Sequence, residues 1–168
     1  MRYAEIRSTI KSGDIIALTH TEWDSLYDLQ VQAVRIFTQS EYAHVAVAWV
    51  VGGRVFLLES VTPEVRIMPI SNLADHGFYL IQTNTPMSEA ELEYGLSYVG
   101  QGKYSKLQAI GGQLNTLDIG EDNLWQCSEY VIAMRRLSGL DLGNKATPSG
   151  VVQAALRQGL TLKYIQRE

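Results

Sequence analysis

EYAHVAVAWVVGGRVFLLESVTPEVRIMPI, residues 41–70, holds two apolar, β-branched runs on either side of Gly52-Gly53. A glycine pair between such runs is a strong hairpin signal. Both glycines tolerate the positive φ that a two-residue turn demands. A third strand is predicted over 65–70, after a turn at Thr62-Pro63. The hairpin is apolar at odd and even positions alike, so the sheet it belongs to is expected to be covered on both faces.

Working outward, Ser12-Gly13-Asp14 is a turn signal and IIAL after it reads as a buried strand. Asp24 is a candidate cap for a helix over 25–38, with Leu26, Leu29, Val34 and Phe37 as apolar positions. GFYLIQT, 77–83, reads as a fourth strand. Ser88 with Glu91 forms a capping box that opens a helix running to about Val99. A less regular stretch, 102–123, precedes an amphipathic helix that begins around Cys127 and ends near Gly139. Thr147-Pro148-Ser149 opens a further helix, with proline suited to its first turn, and LTLKYI returns as a last strand. Strands early and helices late predict an α+β domain, one unit over 1–168.

Composition narrows the classes. The chain has 168 residues, 46% apolar and 19% charged, with net charge −4 and 14 scattered basic residues. That is a globular balance with no basic stripe for nucleic acid. A single cysteine excludes an internal disulfide framework. No apolar run reaches the roughly 18 residues of a membrane span, and the charged start MRYAEIRSTIKSGD does not read as a signal peptide. A cytoplasmic location is expected.

The lone cysteine, Cys127, falls in the first turn of its helix. Unpaired N–H groups and the positive dipole end lower a thiol pKa there, and its own N–H can serve an oxyanion. The plain alternative is a small buried hydrophobe. His44 sits among alanines and valines in AHVAV. It is either a core histidine bonded to a carbonyl or a general base, which needs an orienting acceptor. Glu59 is the candidate acceptor. If Gly52-Gly53 is a two-residue loop, Val51 faces Arg54, Ala46 faces Glu59 and His44 faces Val61. His44 and Glu59 then emerge on one face as diagonal neighbours, about 7–8 Å apart at the backbone and within side-chain reach. A one-residue slip would put them on opposite faces. A carboxylate in so apolar a strand is costly unless paired. Whether Cys127 approaches this pair is left open by spacing alone.

Other groups carry less. His20 and His76 lie in loop-like contexts. No His-x-x-x-His or Cys-x-x-Cys spacing exists, so neither metal nor cofactor is expected. Gly111-Gly112 lacks the lysine of a phosphate loop, and no Gly-x-Ser-x-Gly elbow is present.

SGDII, YAHVAVAW, LLES, QCSEYV and TPSGV, in that order from Gly13 to about Gly150, resemble the circularly permuted branch of NlpC-like papain-fold proteins. That branch includes YiiX-like hydrolases and the lecithin retinol acyltransferase group, and in it the histidine strand precedes the cysteine helix. The resemblance implies an antiparallel sheet or half-barrel packed against helices. It implies Cys127 as nucleophile, His44 as base and Glu59 as the residue orienting the imidazole. Tyr104 matches a tyrosine that YiiX-like members carry before their catalytic helix, although Ser105 stands where an acidic residue often follows. Glu129 matches the CSE of the pattern, with a capping-type role expected. Tyr42, Tyr104 and Trp125 are the candidate substrate-contacting residues.

The expected function is therefore thiol-dependent hydrolysis of amide or ester bonds in a peptide-like or acyl-containing small substrate, through an acyl-enzyme. The alternatives are acyl transfer, including to or from lipids, and a non-catalytic binding module on the same fold.

Overall fold

The computed structural model describes residues 1–19, 41–61, 64–73, 76–100 and 126–166. The helix expected over 25–38 and the turn at Thr62-Pro63 lie outside the described residues, as do Tyr104 and Trp125.

Among the described residues, six strands form one open sheet: β1 Ile15–Thr19, β2 Tyr42–Val51, β3 Arg54–Val61, β4 Glu64–Pro69, β5 Phe78–Gln82 and β6 Thr161–Ile165. Their spatial order is β4-β3-β2-β1-β5-β6, and every pairing within the sheet is antiparallel. The α-helices among the described residues are α1 Tyr3–Ile6, α2 Glu89–Ser97, α3 Gln126–Leu137 and α4 Pro148–Arg157. The fold is α+β, with an antiparallel sheet packed against helices.

The turn between β2 and β3 has Gly52 at φ 57° and Gly53 at φ 70°, the two positive values the glycine pair supplies. Pairing then runs from Val51 opposite Arg54 to Val47 opposite Leu58, in the register expected. Both faces are buried. Val45, Val47, Leu58 and Ile81 pack with residues of α3 and α4 on one side. Ala46, Ala48, Leu57 and Leu80 pack on the other with Tyr3 and Ile6 of α1 and with Ile70 and Leu73.

Alignment of α3 across β2 and β3 depends on its far end. The Arg135 guanidinium there donates from Nη1 to both carboxylate oxygens of Glu91, at 2.8 and 2.6 Å, and from Nη2 to the Thr85 carbonyl at 2.7 Å. Both side chains of the ion pair are fully buried. Gly13 makes room, since a Cβ there would lie 2.5 Å from Arg135 Nη1. Asp14 beside it accepts from the Lys11 and Thr83 amides, tying the start of β1 to the end of β5. Gly139, at φ 80°, closes α3 with its N–H on the Arg136 carbonyl, while the Leu140 N–H reaches the Arg135 carbonyl.

The capping box at α2 is half of what the sequence suggested. Ser88 Oγ accepts from the Glu91 amide at 3.1 Å, but Glu91 does not return to the Ser88 N–H. That N–H donates to Ser138 Oγ at 2.8 Å, which leaves the Glu91 carboxylate for Arg135 and the Ser138 hydroxyl. A buried guanidinium is a stronger partner for a carboxylate than a neutral backbone amide.

Removing Arg135 strands a buried carboxylate. Arg135→Met is expected to cost about 3–5 kcal/mol in denaturant unfolding. Replacing both partners by apolar residues, Glu91→Leu with Arg135→Met, is expected to recover much of that loss. A single variant as stable as the parent would contradict this account of the pair.

Candidate functional site

β2 and β3 are ladder partners only as far as Val47 and Leu58. Beyond that point β2 continues against β1, through Ala46, Val45, His44 and Tyr42. β3 continues against β4, through Glu59, Ser60 and Val61. The sheet forks. The expected oppositions of Ala46 with Glu59 and of His44 with Val61 are therefore not ladder pairs.

Backbone polarity explains what fills the fork. The Ala48 N–H donates to the Asp14 carbonyl, on the β1 side. Amides alternate along a strand, so that of Val45 faces the missing β3 partner. The Val45 N–H acts instead on the sulfur of Cys127, helping to lower its pKa, and Cys127 is the second residue of α3. The helix start thus stands where the ladder stops. One extra residue in β2 between the Leu18–His44 and Thr19–Tyr42 pairs, a bulge, brings Tyr42 into the helix-side core with Val45, Val47 and Cys127.

His44 Nε2 and Glu59 Oε2 are 2.8 Å apart, the diagonal contact that hairpin counting anticipated. The Glu59 side chain is 2% exposed and that of His44 15%. With Nε2 engaged, Nδ1 is the ring nitrogen left for Cys127, whose thiol is hydrogen-bonded to His44. Cys127 Sγ also lies 3.8 Å from Ser128 Oγ. On the other side of the carboxylate, Arg66 Nε donates to Glu59 Oε1 at 2.7 Å. Cys127, His44, Glu59 and Arg66 therefore form one hydrogen-bonded run from α3 through β2 and β3 to β4.

The charges agree with that run. Burial opposes a thiolate at Cys127, yet the hydrogen bond and positive charge of His44 and the Val45 amide hold the thiol below its ordinary range. Burial likewise opposes an imidazolium, but Cys127 and Glu59 push His44 up to about 10. Glu59, also penalised by burial, is held below the usual carboxylate range by His44 and Arg66. Opposite shifts on sulfur and ring favour a thiolate–imidazolium pair.

The remaining candidates divide. Tyr42 is buried, its ring edge-on to Tyr79 at 5.4 Å, and burial with the charge of Glu41 raises its phenol to about 12. Glu129 is buried in the first turn of α3, its Oε1 has no hydrogen-bond partner among the described residues, and burial raises its pKa. Arg66 was not among the residues singled out from sequence. The counting rule used for the first hairpin, applied across residues 62–63, sets it opposite Glu59, as observed.

No family model and no curated protein matches the chain. Among solved structures, the metalloprotein yiiX from Escherichia coli O157:H7 aligns with a TM-score of 0.55, covering 94% of this chain and 97% of that one at 16% identity. The fold is YiiX-like. On this YiiX-like frame no group of three or more His, Cys, Asp or Glu is arranged to hold a metal ion among the described residues. Nor is any helix there long and apolar enough to cross a membrane.

Alkylation of Cys127 by iodoacetamide is expected to reach half its maximal rate well below the ~8.5 of an ordinary thiol. His44→Ala is expected to move that midpoint upward. An unshifted midpoint in the variant would contradict the pairing.

Proposed function

We propose that this protein is a thiol-dependent hydrolase of amide or ester bonds, built on the circularly permuted NlpC-like variant of the papain fold. The observation that carries the proposal is the hydrogen-bonded sequence of Cys127, His44 and Glu59, with pKa shifts of opposite sign on the sulfur and the ring. A nucleophile, a base and an orienter of that base are the parts an acyl-enzyme route needs.

The thiolate of Cys127 attacks the substrate carbonyl carbon, and the carbonyl π electrons move to oxygen. Backbone N–H groups at the start of α3 stabilise the resulting oxyanion. The His44 imidazolium gives its proton to the leaving amine or alcohol as the carbon–heteroatom bond breaks, leaving an acyl-thioester and a neutral ring. That ring takes a proton from water, hydroxide adds to the thioester, and the acid departs as the thiolate–imidazolium pair returns. Glu59 accepts from Nε2 throughout, fixing the tautomer and supporting the charged ring. Tyr42, buried in the same core cluster as the thiol, is a described residue suited to line the acyl side of the site.

Acylation with an activated ester is expected to add the acyl mass to the wild-type chain and not to Cys127→Ala. His44→Ala should slow acylation by about 10²–10⁴-fold. The rate should rise with pH through the lowered thiol pKa and fall as the raised His44 pKa, about 10, is passed. Glu59→Gln removes the charge that favours the protonated ring, so its alkaline limb should move down. Release of free acid, undiminished by a chelator and by added alcohol or amine, is the result expected. Transfer to the added acceptor would make the protein an acyltransferase, and absence of any acyl adduct would make it a binding module.

A further inference from the structure

Glu59 poses a problem that His44 does not solve. Its carboxylate is almost wholly buried at the fork, and the imidazole engages only Oε2. The second oxygen needs its own donor, because a half-paired buried carboxylate is costly and free to turn. Arg66 supplies it from the opposite strand. Glu59 and Arg66 are directly opposed in the β3–β4 ladder, and Arg66 Nε lies 2.7 Å from Oε1. Arg66 Nη2 lies 3.7 Å from Met68 Sδ, two residues along the same strand. The Arg66 side chain is 39% exposed, while that of Glu59 is only 2% exposed. One side of the carboxylate is thus tied to β2 and the other to β4, across the place where β2 and β3 part.

We infer that Arg66 is a positioning residue for the thiol site, holding the Glu59 carboxylate ionised and aimed at His44. The inference rests on the hydrolase reading above and adds a fourth member to the groups that support its nucleophile. Arg66 acts through Glu59 and His44, so its removal should alter the turnover step rather than substrate capture. The groups facing this carboxylate are His44 from β2 and Arg66 from β4, while Cys127 from α3 faces the ring beyond. A cross-strand ion pair that only stabilised the β3–β4 hairpin would leave both the reactivity of the thiol and its pH dependence alone.

The test compares wild type, Arg66→Met, Arg66→Lys and His44→Ala in two readouts: the pH profile of iodoacetamide alkylation, which needs no substrate, and kcat and KM on an activated ester. Chemical denaturation of each variant runs beside them. Arg66→Met is expected to raise the midpoint of the acid limb and to lower kcat by about tenfold, the rate equivalent of one charge-assisted hydrogen bond, with KM held. Arg66→Lys keeps the charge without the planar fork and should recover part of both. If Arg66→Met loses stability but keeps the wild-type profile and kcat, the positioning role is overturned while the hydrolase reading stands. If His44→Ala also leaves alkylation unchanged, the thiol–imidazole pairing beneath both proposals has failed.

Discussion

The sulfur of Cys127 is acted on by a backbone amide, that of Val45, which in a continuous sheet would have faced a neighbouring strand. The Val45 N–H points toward β3, the β2–β3 ladder has stopped one rung earlier, and the helix start fills the gap. An amide left unsatisfied in so buried a place would be expensive. The fork and the position of the thiol are therefore two sides of one constraint. Because β3 leans toward β4 there, Glu59 can span the opening to His44, and the imidazole meets the sulfur from the strand that carries the amide. Strand, helix and ion chain are mutually dependent at this point.

That constraint needs a helix whose axis cannot drift. α3 is secured about two turns from Cys127 by Arg135, which binds Glu91 of α2 and the Thr85 carbonyl after β5. Tyr130, between the two ends, donates to the Gly95 carbonyl of α2 at 2.8 Å. The buried ion pair is weak evidence for net stability, since desolvation offsets most of its attraction. Its geometric effect is clearer. It ties the far end of α3 to the same edge of β1 and β5 that Gly13 and Asp14 organise, so the SGD turn near the start of the chain bears on a thiol more than a hundred residues later.

Much of this was legible in the residues. The glycine pair and the apolar runs around it gave the hairpin and its register, and register alone put His44 and Glu59 on one face. Ser88 and Thr147 announced the starts of α2 and α4 because capping is a local code. What was not legible depends on partners distant in sequence. The end of the β2–β3 ladder is decided by a helix some eighty residues away. Glu91 satisfies a capping pattern, yet Arg135 and Ser138 outcompete the local amide. The burial of Glu129, with its Oε1 unpartnered among the described residues, is likewise set by packing around α3. Arg66 is a different case: the register rule would have found it had it been applied to the second hairpin as well as the first.

The most direct test of the central claim is the titration of the His44 ring by NMR in wild type and in Cys127→Ala. The chain has only three histidines, so His44→Ala assigns the signal. If thiol and ring are paired, His44 stays protonated well above neutral pH in the wild type, and its pKa falls when the sulfur is removed. A ring that titrates near the ordinary 6.5 in both proteins would contradict the pairing on which the site depends.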